Sequence, residues 1–206
     1  MMRFFDFLFP PRVDETVLRE VSLDEFLALL APRSVSMTRP NTIALLPFSD
    51  AKVRAAIHEA KYHGSEEAFQ LLAGALVEYL RDSDERLCTP CIVPVPLGKG
   101  RHRERGFNQV HEVVLRALRS LGEEGEITID ATLLKRVHET TSQVSLPRHS
   151  RAANMRGAFR AVRPVDPACT YIIIDDVITT GATLQAAIDA LVAAGAKHII
   201  SLALAH

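Results

Sequence analysis

Residues 171–183 read Tyr-Ile-Ile-Ile-Asp-Asp-Val-Ile-Thr-Thr-Gly-Ala-Thr. Four apolar residues, Tyr171 to Ile174, lead into Asp175 and Asp176. Val177 and Ile178 follow, then the hydroxyl-rich turn Thr179, Thr180, Gly181, Ala182 and Thr183. Beyond the turn, Leu184, Ala187, Ile188, Leu191 and Val192 recur at helical spacing. The pattern predicts a buried strand, a turn and a helix. Carboxylates at the end of a parallel strand lie where open α/β sheets bind ligands. The turn feeds a helix N-terminus, whose free N–H groups and positive dipole end favour phosphate. Carboxylates accept from hydroxyls and the turn donates to an anion, so together they describe a site for a phosphorylated sugar. A buried strand with a merely polar turn is the plain alternative, and the Gly-containing Thr loop with a helix behind it goes beyond that.

The rest of the chain sets the frame. Its 206 residues suit one domain, or one domain with a small appendage, and 48% hydrophobic residues can bury a sizeable core. A net charge of −1 gives no global pull toward nucleic acid or an anionic membrane. Three cysteines, no signal peptide and no long apolar run predict a soluble, cytoplasmic protein without membrane insertion. Residues 1–10 are apolar but short and interrupted by Asp6, which predicts a packed terminal arm.

Ser22-Leu23-Asp24-Glu25 is a capping box that opens a short helix ending near Pro32. Residues 31–41 have the composition of a linker, so the expected division is an N-terminal arm and helix over 1–41 and a main domain over 42–206. Within the latter, residues 42–46 read as a strand, and 49–61 and 65–80 as helices. Residues 91–95 read as a buried strand, 98–106 as a basic loop and 108–121 as a helix. Residues 131–134, 158–162 and 198–205 read as strands. Strands alternating with helices predict a mainly parallel sheet covered on both faces.

The basic loop follows a strand closed by Pro94 and Pro96. Lys99, Arg101, Arg103 and Arg105 stand at every second position before Gly106, Phe107, Asn108 and Gln109. A solvated loop would explain the charges. Next to a phosphosugar motif they also suit a clamp for a polyanion, with Phe107 in the core. A second polar cluster holds Thr140, Thr141, Ser142, Gln143, Arg148, Arg151 and Asn154 between two strands. It reads either as a surface loop or as a lid that could close over an anion and exclude water.

The motif at 171–183 resembles the PRPP-binding motif of type I phosphoribosyltransferases. The resemblance implies that Asp175 and Asp176 bond the ribose hydroxyls while Thr179, Thr180, Gly181, Ala182 and Thr183 cradle the 5′-phosphate. Arg-Glu-Arg-Gly-Phe-Asn-Gln at 103–109, Ala-Lys-Tyr-His-Gly at 60–64 and the stretch 143–159 together resemble the ComF family, over roughly residues 42–206. By position, Lys61 and Tyr62 match that family's Lys-Tyr pair. Arg103, Arg105, Asn108 and Gln109 match its next element, and Gln143, Arg151 and Asn154 its loop. The chain departs from the family at the front, where no Cys or His occurs between residues 13 and 41, so a zinc ribbon cannot form there. Cys88 and Cys91 have ligand spacing but no second pair. No zinc site is expected, and no histidine spacing reads as a metal set.

The resemblance implies a type I phosphoribosyltransferase-like α/β fold with an N-terminal helical appendage. It implies transfer of ribose 5-phosphate from PRPP-Mg²⁺ to an unknown nitrogen acceptor. Asp175, Asp176 and Arg151 would act in catalysis, and Mg²⁺ would be held by PRPP with Asp175 and Asp176 nearby. Lys61, Lys99, Arg103 and Arg105 would join the phosphate turn in binding PRPP or a phosphorylated nucleotide. It also implies a link to DNA-uptake proteins. The alternative is a non-catalytic sensing or interaction module. Oligomeric state is left open.

Overall fold

The computed structural model describes residues 12–82, 88–122, 127–137, 155 and 157–206. In chain order the elements are α1 (Val13–Arg19), α2 (Leu23–Leu27), β1 (Arg33–Val35), β2 (Thr42–Leu46), α3 (Ala51–Tyr62), α4 (Glu66–Asp82), β3 (Cys91–Pro94), α5 (Lys99–Arg105), α6 (Gln109–Leu121), β4 (Thr128–Ile129), β5 (Leu134–Arg136), β6 (Phe159–Ala161), β7 (Thr170–Val177), α7 (Ala182–Ala193) and β8 (His198–Ala205).

The strand of the opening motif, β7, sits centrally because it is apolar on both faces. Ile172 and Ile174 join one core, with residues of α3, α4 and α6. Tyr171 and Ile173 join the other, with residues of α7, β5 and β6. Burying each such side chain contributes roughly 1.5–3 kcal/mol. The six-stranded sheet runs β1-β2-β8-β7-β3-β4, parallel throughout except for β1 against β2. β5 and β6 pair antiparallel as a separate ribbon. The architecture is the expected mixed α/β fold, a mostly parallel sheet flanked by helices, with N-terminal helices added.

Those helices pack into the same interior. Leu18 of α1 and Phe26 of α2 lie in the core with α3 and α4. The capping box forms as read: Glu25 N–H donates to Ser22 Oγ at 3.2 Å, and Ser22 N–H to Glu25 Oε2 at 3.1 Å. Arg12, just before α1, donates from Nε and Nη2 to the Glu59 carboxylate of α3 at 2.9 and 2.6 Å. That hydrogen-bonded guanidinium holds the Glu59 carboxyl below the usual range.

Three local expectations shift. Residues 33–35, read as linker, form β1, because Arg33, Ser34 and Val35 pair with Ala44, Ile43 and Thr42. The strand expected at 131–134 begins at Leu134. Asp130 Oδ1 accepts from Thr132 N–H at 3.0 Å and from its hydroxyl at 2.9 Å, a turn that delays the strand. β4 was not foreseen, since two residues are too short to show alternation. Among the described residues no helix is long and apolar enough to cross a membrane.

Candidate functional site

The C-terminal ends of β3 and β7 lie side by side, with Pro94 in register with Ile174 and Val95 N–H donating to Ile174 O at 2.9 Å. Asp175 and Asp176 stand at this edge. Strand alternation sends them to opposite faces. Asp176 follows Ile172 and Ile174 toward α3 and α6. There its Oδ2 accepts from Gln109 Nε2 at 2.6 Å and lies 3.1 Å from Lys61 Nζ. Its Oδ1 accepts from Val177 N–H at 2.7 Å. Asp175 follows Tyr171 and Ile173 toward the β5–β6 ribbon, and the cations that act on it are Lys61 first and then Arg136 of β5.

Burial, then the adjacent negative charge of Asp176, push the Asp175 carboxyl up to about 7. An unfolded aspartate titrates near ~3.9. The folded chain therefore holds a proton that the unfolded chain has lost between those two values. Stability is greatest below pH ~4, falls between ~4 and ~7, and levels off above. Denaturant unfolding should show wild type losing about 2–3 kcal/mol from pH 5 to pH 8 relative to Asp175→Asn. Parallel pH profiles for the two proteins would refute the assignment.

The turn after β7 is built against the N-terminal segment. Gly181 caps α7 at φ 72° with no side-chain cap, leaving the first-turn N–H groups without a competing side-chain acceptor at that position. A Cβ at Gly181 would lie 2.7 Å from Met37 O and 2.9 Å from Met37 Cβ. Thr180 Oγ1 accepts weakly from Ala182 N–H at 3.5 Å. Gln185, one turn into α7, accepts from Arg39 N–H at 2.8 Å, tying residues 36–41 to the cradle. Thr179 is exposed, while Thr180, Ala182 and Thr183 are half-buried and Gly181 is buried.

The basic segment differs from its expectation. Residues 99–105 form a helix, α5, between Gly98 and Gly106, the latter at φ 79°. Helical geometry splits the four cations into two faces, Lys99 with Arg103 and Arg101 with Arg105. Arg105 turns inward: its guanidinium lies over the Tyr62 ring at 4.9 Å and Nη1 donates to Gln109 Oε1 at 3.2 Å. Its Nε is buried without a hydrogen-bond partner among the described residues. Lys99 and Arg103 are exposed and have no hydrogen bond to Asp175 or Asp176 among the described residues. Phe107 packs partly buried, edge-on to Phe69 at 5.8 Å. Asn108 caps α6, accepting from Val110 N–H at 3.0 Å and donating to Val95 O at 3.0 Å, which fixes α6 to the end of β3.

Lys61, Arg105, Asp175 and Asp176 are thus brought into one neighbourhood. Arg151 and the polar cluster at 140–154 lie outside the described residues. Two participants were not singled out as site residues. Gln109, buried between Arg105 and Asp176, carried only a family match. Arg136 lies against Gly98 and over the Phe159 ring at 5.5 Å, and an isolated Arg in a short strand gives no signal. Cys88, Cys91 and Cys169 are free thiols, and burial raises the Cys91 thiol.

Residues 115–206 match the family model described as Phosphoribosyl transferase domain. Among solved structures, the chain is similar to a hypoxanthine phosphoribosyltransferase from Staphylococcus aureus at 15% identity and a TM-score of 0.39. The similarity covers 68% of this chain and 63% of that one. No curated protein matches the chain.

Proposed function

We propose that this protein binds PRPP and transfers its ribose 5-phosphate to a nitrogen nucleophile. The C1–O bond to pyrophosphate breaks, pyrophosphate leaves with the electron pair, and a C1–N bond forms with loss of a proton from the acceptor. The observation that carries the reading is the convergence of Lys61, Gln109 and Asp176 beside a glycine-capped helix N-terminus at the sheet's C-terminal edge. The fit is supported by Gly181, whose missing Cβ lets the turn pass close against Met37, and by the Nε of Arg105, buried without a hydrogen-bond partner among the described residues. Asp175 and Asp176 would hold the sugar hydroxyls and the turn 179–183 the 5′-phosphate. Arg105, Lys61, Lys99 and Arg103, with Arg151 from the loop, would face the diphosphate. Mg²⁺ bound with PRPP would neutralise charge on the leaving group. The ComF-like motifs extend the proposal to a cytoplasmic role beside DNA-uptake proteins.

A second reading, a PRPP- or nucleotide-sensing module without turnover, is favoured by one observation: both oxygens of Asp176 are already engaged by protein groups. Pyrophosphate release from PRPP across a panel of bases and amines separates the two. Acceptor-dependent release is expected. Tight binding with no release for any acceptor would favour the sensor, and no binding would overturn both. Arg103→Gln with Arg105→Gln should weaken PRPP much more than ribose 5-phosphate, by about tenfold or more, because only PRPP carries the diphosphate. Equal loss for both ligands, or loss confined to single-stranded DNA, would reject the clamp.

A further inference from the structure

The end of α3 carries a second cluster, independent of the phosphosugar reading. His58, Glu59 and His63 each offer one ligand atom, and these atoms all lie within 4.8 Å of one another. Spacing along the chain conceals this. The helix stops at Tyr62, and His63, its C-cap, comes back over Glu59 with Nε2 4.0 Å from Oε1. The His58 and His63 rings are 5.8 Å apart between centroids. Asp14 Oδ2 lies 2.8 Å from His58 Nδ1. A carboxylate on Nδ1 fixes the tautomer and leaves Nε2 to ligate. Glu59 itself is 0% exposed. The cation hydrogen-bonded to it is Arg12, whose own side chain is 49% exposed.

We propose that His58, Glu59 and His63 form a binding site for a first-row divalent cation such as Zn²⁺, which takes Glu59 Oε1 from Arg12. Two imidazoles and a carboxylate suit Zn²⁺, with the fourth position left to water. With bonds of roughly 2.0–2.2 Å the ligand atoms must close by about 1 Å, which rotation of the two exposed imidazoles supplies. Arg12 Nη2 keeps its bond to Oε2, so a positive charge stays beside the ion and weakens binding. Arg12 and the metal would share one buried carboxylate, the ion on Oε1 and the guanidinium on Oε2.

Titrating the full chain with Co²⁺, its thiols blocked, reads the site through the visible absorption of the ion. One Co²⁺ per chain, displaced by Zn²⁺, is expected. Arg12→Gln should bind at least about tenfold tighter, since one repelling charge is gone. Zn²⁺ should raise the melting temperature of Arg12→Gln more than that of wild type. His58→Ala with His63→Ala should abolish binding. The single change His63→Asn at the exposed helix cap should weaken it while circular dichroism reports an intact fold. No stoichiometric binding to Arg12→Gln, affinity unchanged by that substitution, or binding that survives loss of both histidines would overturn the site.

Discussion

Asp175→Asn combined with Asp176→Asn is expected to lower PRPP affinity at least tenfold and to remove any turnover. Each carboxylate would lose a charge-assisted hydrogen bond to a ribose hydroxyl, at roughly 1.5–3 kcal/mol apiece. The two losses differ in kind. Asp176 also anchors Gln109 and Lys61, so Asp176→Asn loosens the α3 and α6 side of the site. Asp175 carries no such anchor. It carries a carboxyl raised to about 7, so Asp175→Asn should stabilise the fold above neutral pH. Affinity lost in that single variant therefore cannot come from unfolding. Calorimetric titration with PRPP and Mg²⁺ checks the pair. Unchanged affinity in a folded double variant would remove Asp175 and Asp176 from the sugar site.

The second large effect is expected at Gly181. Gly181→Ala places a Cβ 2.7 Å from the Met37 carbonyl oxygen, closer than real contacts allow, at a φ of 72° that L-residues adopt with strain. The left-handed conformation alone costs roughly 1–2 kcal/mol. Moving residues 36–41 away also strains the bond from Arg39 N–H to Gln185. A total of about 2–4 kcal/mol is expected in chemical denaturation. PRPP affinity should fall with it, because the turn that would hold the phosphate is displaced. Wild-type stability in Gly181→Ala would show that residues 36–41 do not press on the turn.

The run from Tyr171 to Val192 made the centre of the fold legible in the sequence. A β-branched strand buried on both faces, a turn with Gly and Thr, and a helix at 3.6-residue spacing are local facts. The capping box at Ser22 and the cap at Asn108 were legible for the same reason, since each needs only a few residues to close its hydrogen bonds. The adjacent acids were legible as a pair. That only Asp176 takes Gln109 and Lys61 as direct partners was not, because it depends on which elements cover each face of the sheet. The cations at every second position from Lys99 suggested an extended loop. Glycines at either end and helical hydrogen bonds made a helix, which turned Arg105 inward and left Arg103 in solvent. Residues 33–35 joined the sheet because β2 offered an edge, a partner no local pattern announces. Only the tertiary structure could bring Arg12 to Glu59, 47 residues away, and fold His63 back over the same carboxylate. Short-range periodicity fixes what an element is. Which charged groups meet is decided by packing between segments far apart in the chain.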